Sequence, residues 1–105
     1  MYPKNKMKKS LGQNFLIDNN IINIIIQAGN INSDDVVLEI GPGTGNLTKG
    51  ILINKPKRLI VIEKDSNLST KLEEKFKNKI KVINDDILKI NEKKLSNEKM
   101  IIFGN

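Results

Sequence analysis

Residues 36–47 read VVLEIGPGTGNL, from Val36 to Leu47. Five residues dominated by branched apolar side chains run into a loop with glycine at positions 41, 43 and 45, and a helix-like segment follows. Glycine lets a backbone turn sharply and approach a ligand closely, and the N–H groups of such a loop can face that ligand. The stretch therefore predicts a buried strand feeding a cradle for a nucleotide-like group. A plain strand-to-helix turn stiffened by Pro42 would not need Gly41, Gly43 and Gly45 together.

A dinucleotide-binding loop would read GxGxxG, with a small residue where the helix packs on the strand. That position is Asn46, and the third glycine falls one place early, at Gly45. The resulting (E/D)xGxGxG pattern, with Glu39 as its acidic lead, resembles the first motif of S-adenosylmethionine-dependent methyltransferases.

The chain has 105 residues, one small domain's worth, and a core built from Ile, Leu and Val, because aromatics make up only 4%. Its net charge of +6 is carried almost entirely by lysine, an electrostatic preference for polyanions without sequence preference. With neither cysteine nor histidine, disulfide frameworks, thiol nucleophiles, most zinc sites and histidine bases are excluded. No apolar run approaches the ~20 residues of a spanning helix, and a cytoplasmic protein with no membrane partner is expected.

Residues 1–10 are polar and lysine-rich, and with the LGQNFLI stretch they form an expected N-terminal arm, 1–17. Lys4, Lys6, Lys8 and Lys9 are candidate contacts to RNA phosphates, or only a solubilising tail. Asp18 predicts the cap of a helix with Ile21, Ile24, Ile25 and Ala28 at helical spacing, closed by Gly29 as the residue just beyond it. A short helix over 47–53 follows the glycine loop, interrupted by Gly50 and ended before Pro56. The run RLIVIE at 58–63 predicts a second strand of the kind buried on both faces. Asp65 or Ser66 caps the next helix, with Leu68, Leu72 and Phe76 as its buried stripe and Lys71, Glu74 and Lys75 facing water. Residues 80–84 and 99–103 predict the third and fourth strands, joined by a polar connection with one helical turn. This is an α/β pattern with right-handed crossovers, and residues 18–105 form its domain.

Ligands of open parallel sheets collect at the carboxyl ends of the strands. Those ends carry Gly41, Glu63, Asp86 and Asn105. Glu63 follows Gly41 by 22 residues, where a ribose-binding acid usually stands, although a solvated strand end would look the same. Asp86 is a candidate acceptor for an adenine amine with Ile87 packing on the ring, and Asp85–Asp86 also reads as a turn with a helix cap.

LGQNFL with lysines before it, EIGPGTGNLT, the acid of VIEKD, the DD pair and the terminal FGN together resemble the small-subunit ribosomal RNA adenine N6-dimethyltransferases. The resemblance spans nearly the whole chain in order. It implies a Rossmann-like class I methyltransferase sheet, of which this chain supplies the N-terminal half, strand order 3-2-1-4, with helices on both faces. It implies S-adenosyl-L-methionine as cofactor, held by Asn14, Leu16, Gly41, Gly43, Gly45, Glu63, Asp86, Ile87 and Asn105, with Asn105 opening the catalytic NLPY motif. Only Asn105 of that motif is present, so the chain resembles the cofactor-binding portion of a longer enzyme and is expected to be nearly inactive alone. The implied partner is small-subunit ribosomal RNA in a pre-30S-type particle, met by a monomer. Erythromycin-resistance methylases of large-subunit ribosomal RNA share most of these motifs, but Leu11 and Gly12 before QNF favour the small-subunit branch. A nicotinamide-dependent oxidoreductase, disfavoured by Asn46, and a non-catalytic RNA-binding module of the same fold are the competing readings.

Overall fold

A computed structural model of the chain describes residues 18–91 and 94–104. Its elements run α1 (Asn19–Gly29), β1 (Val36–Ile40), α2 (Asn46–Ile53), β2 (Arg58–Ile62), α3 (Ser66–Phe76), β3 (Lys81–Ile83) and β4 (Met100–Gly104). Two 3₁₀ turns, Lys77–Lys79 and Ile87–Lys89, flank β3. The four strands form one parallel sheet in the order β3-β2-β1-β4, as the resemblance implied.

Alternation along the strands divides the core in two. Val37, Leu59, Val61 and Phe103 point to one face, where α1, α2 and α3 bury Ile22, Ile26, Leu47, Ile51, Leu72 and Phe76 against them. Val36, Leu38, Ile60 and Ile62 point to the other, covered by Ile83, Ile87, Ile90, Leu95 and Met100. The α-helices among the described residues therefore share one face, and the 3₁₀ turn with the chain after it shields the opposite one. Burying both sides of β1 and β2 explains their unbroken apolar runs, since each such side chain contributes about 1.5–3 kcal/mol.

Several local expectations change. The buried stripe of α1 is Ile22 and Ile26, whereas Ile24 is 62% exposed and Ala28 faces solvent. Isoleucines spread over about half of this helix's circumference, so spacing alone could not choose which of them point inward; the groove at Gly50 chooses it. A Cβ at Gly50 would lie 2.4 Å from Ile26 Cδ1 and 3.2 Å from Ile22 Cγ2. Gly50 is thus a packing residue inside a continuous α2 and does not interrupt it. Gly29 is the last helical residue; the left-handed cap is Asn30 at φ 49°, whose N–H donates to Gln27. Gly29 is small because the ring of Phe103 lies over it, 2.6 Å from where a Cβ would stand. Asp18 caps α1 as expected, accepting from the N–H groups of Asn20 and Ile21. Asp65, not Ser66, caps α3 through Leu68 N–H at 3.0 Å. Leu72 and Phe76 are buried there and Leu68 only partly, with Ser69 taking an inner position. Glu63 lies just past β2, and β4 ends one residue later than expected, on Gly104.

Candidate cofactor-binding site

The site grows from the C-terminal ends of β1, β2 and β3. Register places Ile40 between Ile62 and Gly104, and Ile62 beside Ile83, so the chain after these strands emerges at one level. Beyond Ile40, Gly41 donates to the Ile62 carbonyl at 2.9 Å, extending the ladder by one bond before the loop turns away. Gly41, Gly43 and Gly45 have φ of 68°, 59° and 91°, the region where a side chain is strained. At Gly45 the Leu72 and Phe76 side chains also press close; at Gly43 a Cβ would meet nothing within 4 Å. The loop is therefore packed beneath Gly45 and open above Gly43. Gly45, the N-cap of α2, supplies no side-chain cap.

Glu63 closes the loop from the neighbouring strand. Its Oε1 accepts from Gly43 N–H at 3.2 Å and its Oε2 from Asp65 N–H at 3.0 Å, with the residue only 7% exposed. Its carbonyl accepts from Ser69 Oγ at 3.1 Å and from Asn84 Nδ2 at 2.9 Å, and Asn84 Nδ2 also donates to the Lys64 carbonyl at 3.1 Å. The loops after β1, β2 and β3 are thus one hydrogen-bonded assembly centred on Glu63. Asp86 follows two residues after Asn84 and caps the 3₁₀ turn, its Oδ1 accepting from Leu88 N–H at 3.0 Å. Ile87 packs into the core beneath, and Leu88 projects 90% exposed. Asn14, Leu16, Asn105 and the four arm lysines lie outside the described residues.

Sequence reasoning singled out Glu39 only as the acidic lead of the motif; the structure makes it the most unusual group near the loop. Glu39 is fully buried on the helix face, its register neighbours there being Val61 and Phe103. Thr48 of α2 donates to its Oε1 at 2.5 Å, and Oε2 has no partner. Burial pushes its carboxyl up to about 7 against the pull of the Thr48 hydroxyl. The pair joins the strand before the glycine loop to the helix after it. Lys75 adds an outer tie, its Nζ 3.4 Å from the Thr44 carbonyl. Asn84, Ser69 and Thr48 were also missed as site-building residues, because their partners lie on other elements.

The arrangement fits a nucleoside ligand. Glu63 is a fixed carboxylate whose remaining lone pairs suit a diol, and the space over Gly43 leaves room for a group against bare backbone. A depression of about 310 Å³ lined by Arg58, Lys94, Leu95, Ser96, Asn97 and Glu98 lies at the start of β2, the opposite end of the sheet from the loop. Among the described residues no helix is long and apolar enough to cross a membrane.

Comparison with known proteins points to one family. The chain is 55% identical over 100 residues to the ribosomal RNA small subunit methyltransferase A of Pelagibacter ubique, covering 95% of this chain and 38% of that protein. Among solved structures, a dimethyladenosine transferase from Plasmodium falciparum matches with a TM-score of 0.66 and 36% identity, over 70% of this chain and 28% of that one. The 23S rRNA methyltransferase ErmE matches with a TM-score of 0.65 and 32% identity, over 70% and 31%. The chain thus spans well under half of these proteins, and the part it spans holds the glycine loop and Glu63. Residues 4–105 match the family described as ribosomal RNA adenine dimethylase, and with this sheet order and this loop the chain belongs to that family.

Proposed function

We propose that the chain is the S-adenosylmethionine-binding portion of an enzyme that dimethylates adenine N6 in small-subunit ribosomal RNA. The observation that carries this reading is the contact between Glu63 and Gly43: the acid after β2 lies on a glycine loop that is open above that contact. Gly41, Gly43 and Gly45 let the backbone approach the ligand's methionine part, Glu63 accepts from the ribose hydroxyls, and Asp86 accepts from the adenine amine. Oδ1 of Asp86 is occupied by its cap, so Oδ2 takes that role. Asn14 and Leu16 complete the cofactor contacts. When bound, the cofactor supplies an electrophilic methyl group on a sulfonium.

The target amine is a poor nucleophile because its lone pair is delocalised into the ring. Asn105 offers it a side-chain oxygen as acceptor, drawing the amine out of conjugation, and the base must leave its stack to reach it. Lys4, Lys6, Lys8 and Lys9 hold RNA phosphates nearby. The enzyme acts as a cytoplasmic monomer on a pre-30S-type particle; the small-subunit substrate is favoured over the large-subunit one by the name of the 55% identical relative.

Calorimetry of the 105-residue chain with S-adenosylhomocysteine and with a nicotinamide dinucleotide tests the reading. Heat from the first alone is expected. Heat from the dinucleotide alone would replace this reading with an oxidoreductase.

A further inference from the structure

We infer that Asn84 is a positioning residue that sets the spacing between the ribose-binding and adenine-binding acids, and so governs which nucleoside the site accepts. The inference rests on the proposed cofactor site and assigns a role within it to a residue that touches no ligand.

Asn84 is exposed, so its side chain is not needed to fill a core. Its amide nitrogen is nonetheless committed to two successive carbonyls, Glu63 at 2.9 Å and Lys64 at 3.1 Å. These are the first two carbonyls beyond β2. Only one backbone bond joins the two segments at this point, from Glu63 N–H to the Ile83 carbonyl at 3.0 Å. Asn84 therefore fixes the peptide from which the Glu63 side chain springs. Because Asp86 is two residues further on, the same amide fixes where the Asp86 arm begins. Ser69, on α3, also donates to the Glu63 carbonyl, at 3.1 Å, but makes no bond to the arm that carries Asp86.

A group that only stabilised the fold would affect every ligand alike. One that sets the distance between two acceptors affects the ligand's two ends, ribose and base, separately from its overall affinity. Two analogues of S-adenosylhomocysteine report on those ends: the 2′-deoxy form lacks a hydroxyl donor for Glu63, and the inosine form lacks the exocyclic amine donor for Asp86.

The test is calorimetric titration of the chain with all three ligands, thermal melts confirming that each variant folds. The wild type is expected to prefer S-adenosylhomocysteine over each analogue by about tenfold or more, the scale of a hydrogen bond to a charged acceptor. Asn84→Ala, and the isosteric Asn84→Asp, which points an acceptor at two carbonyls, are expected to shrink both preferences to about threefold or less. Ser69→Ala is expected to shrink the ribose preference alone, and it keeps the test open if the Asn84 variants do not fold. Equal weakening toward all three ligands, with both preferences intact, would overturn the inference while leaving the cofactor site standing. A wild-type chain that bound none of the three would overturn the cofactor reading and this inference with it.

Discussion

Replacing Glu39 by glutamine should gain stability relative to the wild type as pH rises, although it removes a hydrogen-bonded acid from the strand that leads into the glycine loop. Glu39 is buried between Val61 and Phe103, with one oxygen bonded to Thr48 and the other unpartnered. Its folded-state carboxyl titrates near 7 against an ordinary 4.5. The folded state therefore binds the proton more tightly than the unfolded chain. Below 4.5 both states hold it; between 4.5 and 7 the unfolded chain releases it first, and stability falls as pH rises; above 7 the loss is complete. At about 1.4 kcal/mol per pH unit, ionisation costs about 3 kcal/mol. Glutamine carries no charge and escapes that loss, though its buried NH₂ brings a constant penalty of its own. The measurement is urea unfolding of wild type and Glu39→Gln from pH 5 to pH 8.5, taking the difference at each pH so that other titrating groups cancel. The difference should move by about 2.5 kcal/mol in favour of the variant across that range, the first part of the loss having occurred below pH 5. A difference that stayed flat would mean that Glu39 is not held in a desolvated site, and the account of its burial would fail.

Three further outcomes are expected. Gly29→Ala should destabilise by about 1–3 kcal/mol through overpacking against the Phe103 ring, while Asn30→Gly should be neutral or stabilising, both read by denaturant midpoint. Glu63→Ala should weaken S-adenosylhomocysteine binding by about 1–3 kcal/mol in calorimetry and raise hydrogen exchange at the Gly43 amide, which loses its acceptor; unchanged exchange would argue against the loop contact. Replacing Lys4, Lys6, Lys8 and Lys9 together with alanine should flatten the salt dependence of RNA affinity in filter binding, and an unchanged slope would leave the arm a solubilising tail.

The sheet was legible because its evidence is local. Branched runs ending in glycine or an acid identify buried parallel strands, and the motif order matched a family whose strand order the structure reproduces. Glu63's place beside the loop was legible from its spacing of 22 residues after Gly41, the distance at which an acid follows the first glycine of such loops. What escaped was anything decided by a neighbour remote in sequence. Gly29 and Gly50 read as a stop and a break, because glycine's backbone freedom is visible in a sequence and the side chain that will press against it is not. Both are small to admit Phe103 and Ile26. The inner face of α1 was unreadable for the same reason. Asn84 looked like the tail of a strand, because the two carbonyls it bonds lie past the end of the neighbouring strand.

The two glycine contacts of α1 also order events in time. One partner, α2, follows the helix closely in the chain, so Ile22 and Ile26 can settle on Gly50 as soon as both helices exist. The other contact, Gly29 beneath Phe103, must wait until β4 joins β1. At roughly 5–20 residues per second, synthesis brings residue 103 about 4–15 s after residue 29. For that interval α1 is held at one of these two glycine contacts, and the seat that Phe103 will fill stays open to water. A chaperone that recognises exposed branched side chains would find its target there, and would lose it when β4 docks.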